Sequence, residues 1–347
     1  MHKLAVSSSM IFSLALFTGH LQLASAETSE EVAFKLNPSI VKVQVDNDKG
    51  NRGIGSGVVV SQDQVVTNCH VVANARGIAV TKNGESYPPV SMKADWHHDL
   101  CILKFEGLPI APVTLGDNTN LKYEQEVFSI GYPNNPMKPL TAFGKIKGLY
   151  QMDDSQVIRT SAAFRMGASG GALFDEAGNL IGINTFKSPG RNGNYYSLPV
   201  TWVKKLLTAP DVAVTTQMEL PFWDAPEEKR PFFMQVVNAQ IIKHWDELAT
   251  ISQAWIATDS NSSEAWYYLA MAQDKLGRND EAIAAYKKTL ALNPWHTGAL
   301  YDWGLLASRL GNQAEVERIS MILSSISQEV ADDFKLAIAP AGTTAQQ

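Results

Sequence analysis

The chain has 347 residues, 45% hydrophobic and 18% charged, with a formal net charge of -6 at pH 7. That is ordinary globular composition, long enough for one large or two modest domains. The mild acidic excess and the lack of any Lys/Arg cluster argue against a nucleic-acid binder.

Residues 1–26 read as a secretory signal. Lys3 opens it, Met10–Phe17 forms a short apolar core, and Ala24-Ser25-Ala26 fits small-x-small cleavage after Ala26. The apolar core is too short to span a bilayer, although an uncleaved anchor is the alternative. A soluble mature chain in the periplasm or outside the cell is therefore expected. Export makes a disulfide chemically permissible for the two cysteines, Cys69 and Cys101.

Residues 27–38 are weakly helical. From Ile40 the texture becomes β: Ile40–Val45 alternates apolar and polar, and Gly55–Val60, Val65–Asn68, Ile78–Val80 and Leu100–Phe105 follow as short runs between Gly, Pro, Asn and Asp. This continues to about Phe186 with no strong amphipathic helix, which predicts an all-β sandwich or barrel. Val200–Leu207 reads as a closing helix, so the first domain is placed at 27–207. Pro210, Pro221 and Pro226 then mark a linker over 208–230, ahead of Pro231. Residues 231–335 are helical in texture, and 336–347 read as a disordered tail.

The helical region repeats. Gly277 and Gly311 lie 34 residues apart, as do Ala270 and Gly304, and Ala282, Tyr286 and Pro294 complete one unit. Small residues allow two helices to approach, glycine fits the turn between them, and proline ends the second. This pattern resembles the tetratricopeptide repeat, with a degenerate first unit at about 232–258. Stacked repeats leave a concave surface for a peptide or protein. A generic helical bundle is the alternative.

Gly167-Ala168-Ser169-Gly170-Gly171 carries the most chemistry. Glycines admit unusual φ/ψ and leave N–H groups unshielded, which suits a nucleophilic Ser169 beside an oxyanion hole of the Gly167 and Ser169 N–H groups. Small-Ser-Gly-Gly runs also occur in plain turns. Acyl transfer further needs a base and an orienting carboxylate. His70 follows a strand, and Asp99 opens the apolar strand Leu100–Leu103. Asp95 is the rival acid. His97 and His98 are read as a solvated loop, because neighbours on an extended segment face opposite ways and no acidic or Cys partner stands at ligand spacing. No metal or cofactor is expected.

The order His70, Asp99, Ser169, with Gly55–Val60, Val66–Val72, Asp99–Leu103, Gly167–Phe174 and Leu180–Thr185, resembles the chymotrypsin-fold serine peptidases of the HtrA/Deg type. The resemblance implies a double β-barrel, with Ser169 as nucleophile, His70 as general base and acid, Asp99 as orienting carboxylate, and Gly167 and Ser169 as oxyanion donors. It implies a substrate pocket walled by Ala163, Phe164, Asn184, Thr185 and Phe186. No acid stands at its base, so a small or medium apolar side chain is expected. Ala168 departs from the Asn or Asp usual in relatives, and no PDZ-like segment follows. With His70 against Asp99, a Cys69–Cys101 disulfide is expected, two free thiols being the alternative. The expected function is an exported serine endopeptidase whose repeats recruit a protein substrate or regulator. An inactive peptidase-fold binding or chaperone-like protein is the alternative.

Overall fold

Alternation with period two builds the first half of the chain into antiparallel strands. The computed structural model describes residues 27–47, 52–188, 194–214 and 219–339. The expected signal at 1–26 lies outside them. Ile40–Asn47 (β1), Arg52–Ser61 (β2), Gln64–Thr67 (β3), Ala75–Lys82 (β4), Glu85–Tyr87 (β5), Ser91–Asp95 (β6) and Leu100–Lys104 (β7) form one sheet, ordered β5-β4-β1-β2-β3-β7-β6. Glu126–Gly131 (β8), Leu140–Met152 (β9), Ser155–Thr160 (β10), Ala172–Asp175 (β11), Leu180–Lys187 (β12) and Tyr195–Pro199 (β13) close into a barrel, ordered β10-β13-β12-β11-β8-β9. The second half of the expected double barrel is thus closed. The first is a seven-stranded sheet with β5 and β6 at its edges.

Three short helices frame the sheets. Ser29–Leu36 (α1) starts at a capping box between Thr28 and Glu31. Cys69–Val72 (α2) is a single turn carrying His70. Val200–Leu207 (α3) buries Val200, Trp202 and Val203 and packs on β6, β7 and β12, so it bridges the two sheets.

The proline-containing segment after α3 is not a free spacer. Met92 on edge strand β6 exchanges N–H···O bonds of 3.0 and 2.8 Å with Val212. Asp211 pairs with Lys93 at 2.8 Å and Lys104 at 2.5 Å. The segment covers a strand edge that would otherwise present unpaired backbone groups.

The helices that follow come in antiparallel pairs: Phe232–Ile241 (α4) with Trp245–Thr258 (α5), Ser263–Lys275 (α6) with Asn279–Leu292 (α7), and Thr297–Arg309 (α8) with Gln313–Ile326 (α9). Gln328–Ile338 (α10) closes the stack, with Phe334 fully buried against Gly304. Helix therefore persists to Ile338, past residue 336 where the disordered tail was expected to begin. Residues 340–347 of that expectation lie outside the described residues.

The repeats rest on the closed barrel. Phe233 of α4 stacks on Tyr150 of β9 at 4.7 Å between centroids. Thr297 Oγ1 donates to Glu124 Oε1 at 3.0 Å, and Lys147 Nζ donates to Glu124 Oε2 at 2.7 Å. One apolar cluster runs from β8 and β10 into α4–α10, so the two domains share a core.

Candidate active site

β2, β7, β11 and the turn α2 converge where the two sheets meet. Asp99 takes a left-handed backbone conformation, φ 58°, at the start of β7. Its carbonyl accepts from Asn68 Nδ2 at 2.9 Å and from the Cys69 N–H at 3.2 Å. Its carboxylate is 1% exposed. Oδ1 accepts from the His70 N–H at 2.8 Å, and Oδ2 meets His70 Nδ1 at 2.6 Å. A buried carboxylate is tolerable only with such donors, and these fix the imidazole with Nε2 turned outward. A disulfide joins Cys69 to Cys101, with Cα atoms 4.9 Å apart. It ties the segment bearing His70 to the strand that Asp99 opens.

Ser169 sits on a turn braced from both sheets. The Ser56 N–H donates to Ser169 O at 2.8 Å, and Ser56 Oγ donates to Gly167 O at 2.8 Å while accepting from the Tyr132 N–H at 2.8 Å. Gly167 has φ +91°, and Met166 O accepts from the Asn134 N–H at 2.7 Å. In a trans peptide the N–H points opposite to the C=O, so the Gly167 N–H is directed away from residues 132–135. Neither the Gly167 N–H nor the Ser169 N–H donates to an acceptor among the described residues. Ala168 is buried and fits against Gly131, where a Cβ would lie 3.1 Å from that of Ala168. The loop closes around Ala168 with no polar side chain at that position. Ser169 Oγ donates to Thr185 O at 3.2 Å; no hydrogen bond to His70 is formed.

The five expected pocket residues do not line one cavity. Ala163 and Phe164 line a cavity of about 230 Å³ with Gly131, Asn134 and Ala168. Phe186 faces a different one, of about 400 Å³, with Tyr196, Trp223 and Met234. Asn184 and Thr185 are buried. Asn184 Nδ2 donates to Ser129 Oγ at 2.7 Å and Ala172 O at 3.0 Å, and Thr185 Oγ1 accepts from Asn68 Nδ2 at 2.9 Å. These two brace the Ser169 turn from behind. Polar residues in a strand read alike from sequence whether they face a ligand or a buried partner.

The pair His97 and His98 also departs from expectation. The segment is a turn, not a strand, so the rings do not diverge: their centroids are 4.9 Å apart. Asp153, from the β9–β10 turn, brings a carboxylate to both, and the three ligand atoms lie within 4.8 Å of one another. That is a metal-sized cluster. His98, however, gives Nδ1 to Asp95 at 2.7 Å and Nε2 to Asp153 at 2.8 Å. Burial pulls its pKa down, but the bonds to Asp95 and Asp153 outweigh it and leave it raised. A charged imidazolium bridging two carboxylates suits this arrangement better than a neutral ligand. Asp95, the rival acid, is committed to His98.

Two contributors lay outside the expectation. Ser56 was only part of a glycine-led strand, yet it holds the Ser169 turn. Trp223 lies in the linker, and its Nε1 donates to Asp99 Oδ2 at 3.0 Å.

Together, fold and site are those of a trypsin-like peptidase domain followed by a tetratricopeptide-repeat region, and the peptidase part is similar to HtrA-type proteases. Residues 55–183 match the family model for the trypsin-like peptidase domain, and residues 263–296 match that for the tetratricopeptide repeat. The chain is 34% identical over 158 residues to a protein of Halomonas elongata named probable periplasmic serine endoprotease DegP-like, a match covering 43% of this chain and 33% of the relative. It is 32% identical over 193 residues to serine protease HTR4 of Rattus norvegicus, covering 51% and 39%. The match thus spans about a third of the length of the first of these relatives. The active form of the Rv3671c protease from M. tuberculosis superposes with a TM-score of 0.50 at 22% identity, covering 61% of this chain and 99% of that one, which is a likeness of fold.

Proposed function

We propose that the chain is an exported serine endopeptidase, with Ser169 as nucleophile, His70 as general base and acid, and Asp99 as the carboxylate that orients it. In this reading Ser169 Oγ leaves Thr185 O by rotation about one side-chain bond and donates to His70 Nε2. It then attacks the substrate carbonyl, and its proton passes to His70. The Gly167 and Ser169 N–H groups hold the oxyanion. His70 returns the proton to the leaving amine, and water releases the acyl group by the same path. The observation that carries the reading is the 2.6 Å contact of His70 Nδ1 with a buried Asp99, beside a serine turn with two uncommitted N–H groups.

The N-terminal pattern and the name of the Halomonas elongata relative support a periplasmic location. Among the described residues no helix is long and apolar enough to cross a membrane. The repeats supply a surface for a protein substrate or regulator. The bond from Ser169 Oγ to Thr185 O favours a second reading, a peptidase fold that binds without cleaving. Labelling with a fluorophosphonate separates the two. Wild type is expected to label and Ser169→Ala not to; absence of labelling in wild type under any condition favours the binding reading.

A further inference from the structure

Trp223 belongs to neither domain as the sequence divides them, yet its ring sits in the candidate triad. It lies in one helical turn, Phe222–Asp224, inside the proline-containing segment. Its indole Nε1 donates to Asp99 Oδ2 at 3.0 Å. Its ring meets the His70 ring edge-on, 5.4 Å and 84°, and stacks on Phe186 at 5.8 Å and 22°.

The Asp99 carboxylate accepts from the His70 backbone, from the His70 ring and from Trp223; among the described residues nothing else donates to it. Thr185 Oγ1, the nearby hydroxyl, gives its proton to Ile183 O at 2.9 Å. Asn68 and Cys69 spend their donors on the Asp99 carbonyl. Among the described residues, the only donor that holds the carboxylate independently of His70 therefore comes from 124 residues away in the chain.

That donor is anchored from both domains. On the peptidase side, the Phe222 N–H donates to His97 O at 3.1 Å, and the Phe222 ring is buried against Phe186, 5.9 Å and edge-on. On the repeat side, Asn238 Nδ2 of α4 donates to Glu227 Oε1 at 2.9 Å, and Gln235 Nε2 donates to Arg230 O at 2.6 Å. Glu219, Leu220, Pro221 and Trp223 also wall a cavity of about 140 Å³ that opens on His70 and Asp99.

We propose that Trp223 is a positioning residue of the triad: it holds the Asp99 carboxylate in the plane that orients His70, and so makes the docked repeat linker a part of the peptidase site. This rests on the peptidase reading above. Without the indole N–H, one buried carboxylate oxygen keeps only the His70 contact, and the imidazole loses the fixed partner against which it is set.

The test uses the full mature chain and the rate of labelling by a small fluorophosphonate, which carries no peptide to feel the cleft wall. Trp223→Phe keeps a ring and removes the donor. Trp223→Gln restores an N–H the same number of bonds from Cα. The expected result is labelling about tenfold slower in Trp223→Phe and within about threefold of wild type in Trp223→Gln, the size of a hydrogen bond to a charged group. In an Asp99→Asn background, Trp223→Phe is expected to cost nothing further, because the two changes act on one interaction. Equal labelling of wild type and Trp223→Phe overturns the proposal. So does equal slowing in Trp223→Phe and Trp223→Gln, or a full additional loss in the Asp99→Asn background, since each points to ring packing alone. Failure of wild type to label overturns the peptidase reading instead.

Discussion

The two domains use left-handed glycines for different reasons. Gly170, in the Ser169 turn, has φ +82°, and a Cβ there would lie 2.2 Å from Ser56 O and 2.4 Å from Thr67 Oγ1. Gly277 and Gly311, at the corners of the repeats, have φ +76° and +72°, and a Cβ on either would meet nothing within 4 Å. In the peptidase domain glycine is required by both conformation and space, because β2 and β3 of the first sheet press onto the Ser169 turn. In the repeats it is required by conformation alone: the corner faces open space and needs only a residue that enters the left-handed region cheaply. The first repeat shows that the second requirement is soft. Lys243, 34 residues before Gly277, occupies the same corner at φ 61°.

Substitutions can break this comparison. Gly170→Ala forces the Ser56 strand from the Ser169 turn, since backbone oxygen cannot swing aside as a long side chain does. A loss of about 3 kcal/mol or more in unfolding free energy is expected, with loss of fluorophosphonate labelling. Chemical denaturation and labelling check it, and labelling at the wild-type rate would show that the turn is not held as described. Gly277→Ala meets only backbone strain, so a cost of about 1–2 kcal/mol is expected, with labelling of the folded protein unchanged. A loss as large as that of Gly170→Ala would erase the distinction. Lys243→Gly is the smallest and opposite in sign: relief of the same strain, less the backbone entropy glycine adds to the unfolded chain, leaves a gain below about 1 kcal/mol. A fall in melting temperature would show that Lys243 holds its corner by contacts of its own.

Much of this was legible from residues. The alternation over Ile40–Val45 became β1, Val200–Leu207 became α3 with the same ends, and the 34-residue spacing of Gly277 and Gly311 marked the helix corners. The contact of His70 with Asp99 and the pairing of Cys69 with Cys101 also follow the order of motifs along the chain. Each of these signals is either periodic or carried by residue types with few alternative uses.

The pocket, the histidine pair and the linker were not legible in that way. Asn184 and Thr185 turned inward because Asn184 meets Ser129 of β8 within the closed barrel, while Thr185 meets Asn68, which follows β3 of the other sheet. His97 and His98 met Asp153 because two turns from different sheets abut. Trp223 reached Asp99 because a proline-containing segment folded back onto a strand edge.

By itself, then, the sequence determined the kinds of element, the repeat period and the residues available for acyl transfer, because these depend on local backbone preference and on side-chain chemistry. Only the tertiary structure decided which buried polar group meets which, and that the linker packs against His70 and Asp99. Such contacts join positions far apart in the chain, and no short-range pattern records where a donor from one segment will find an acceptor in another.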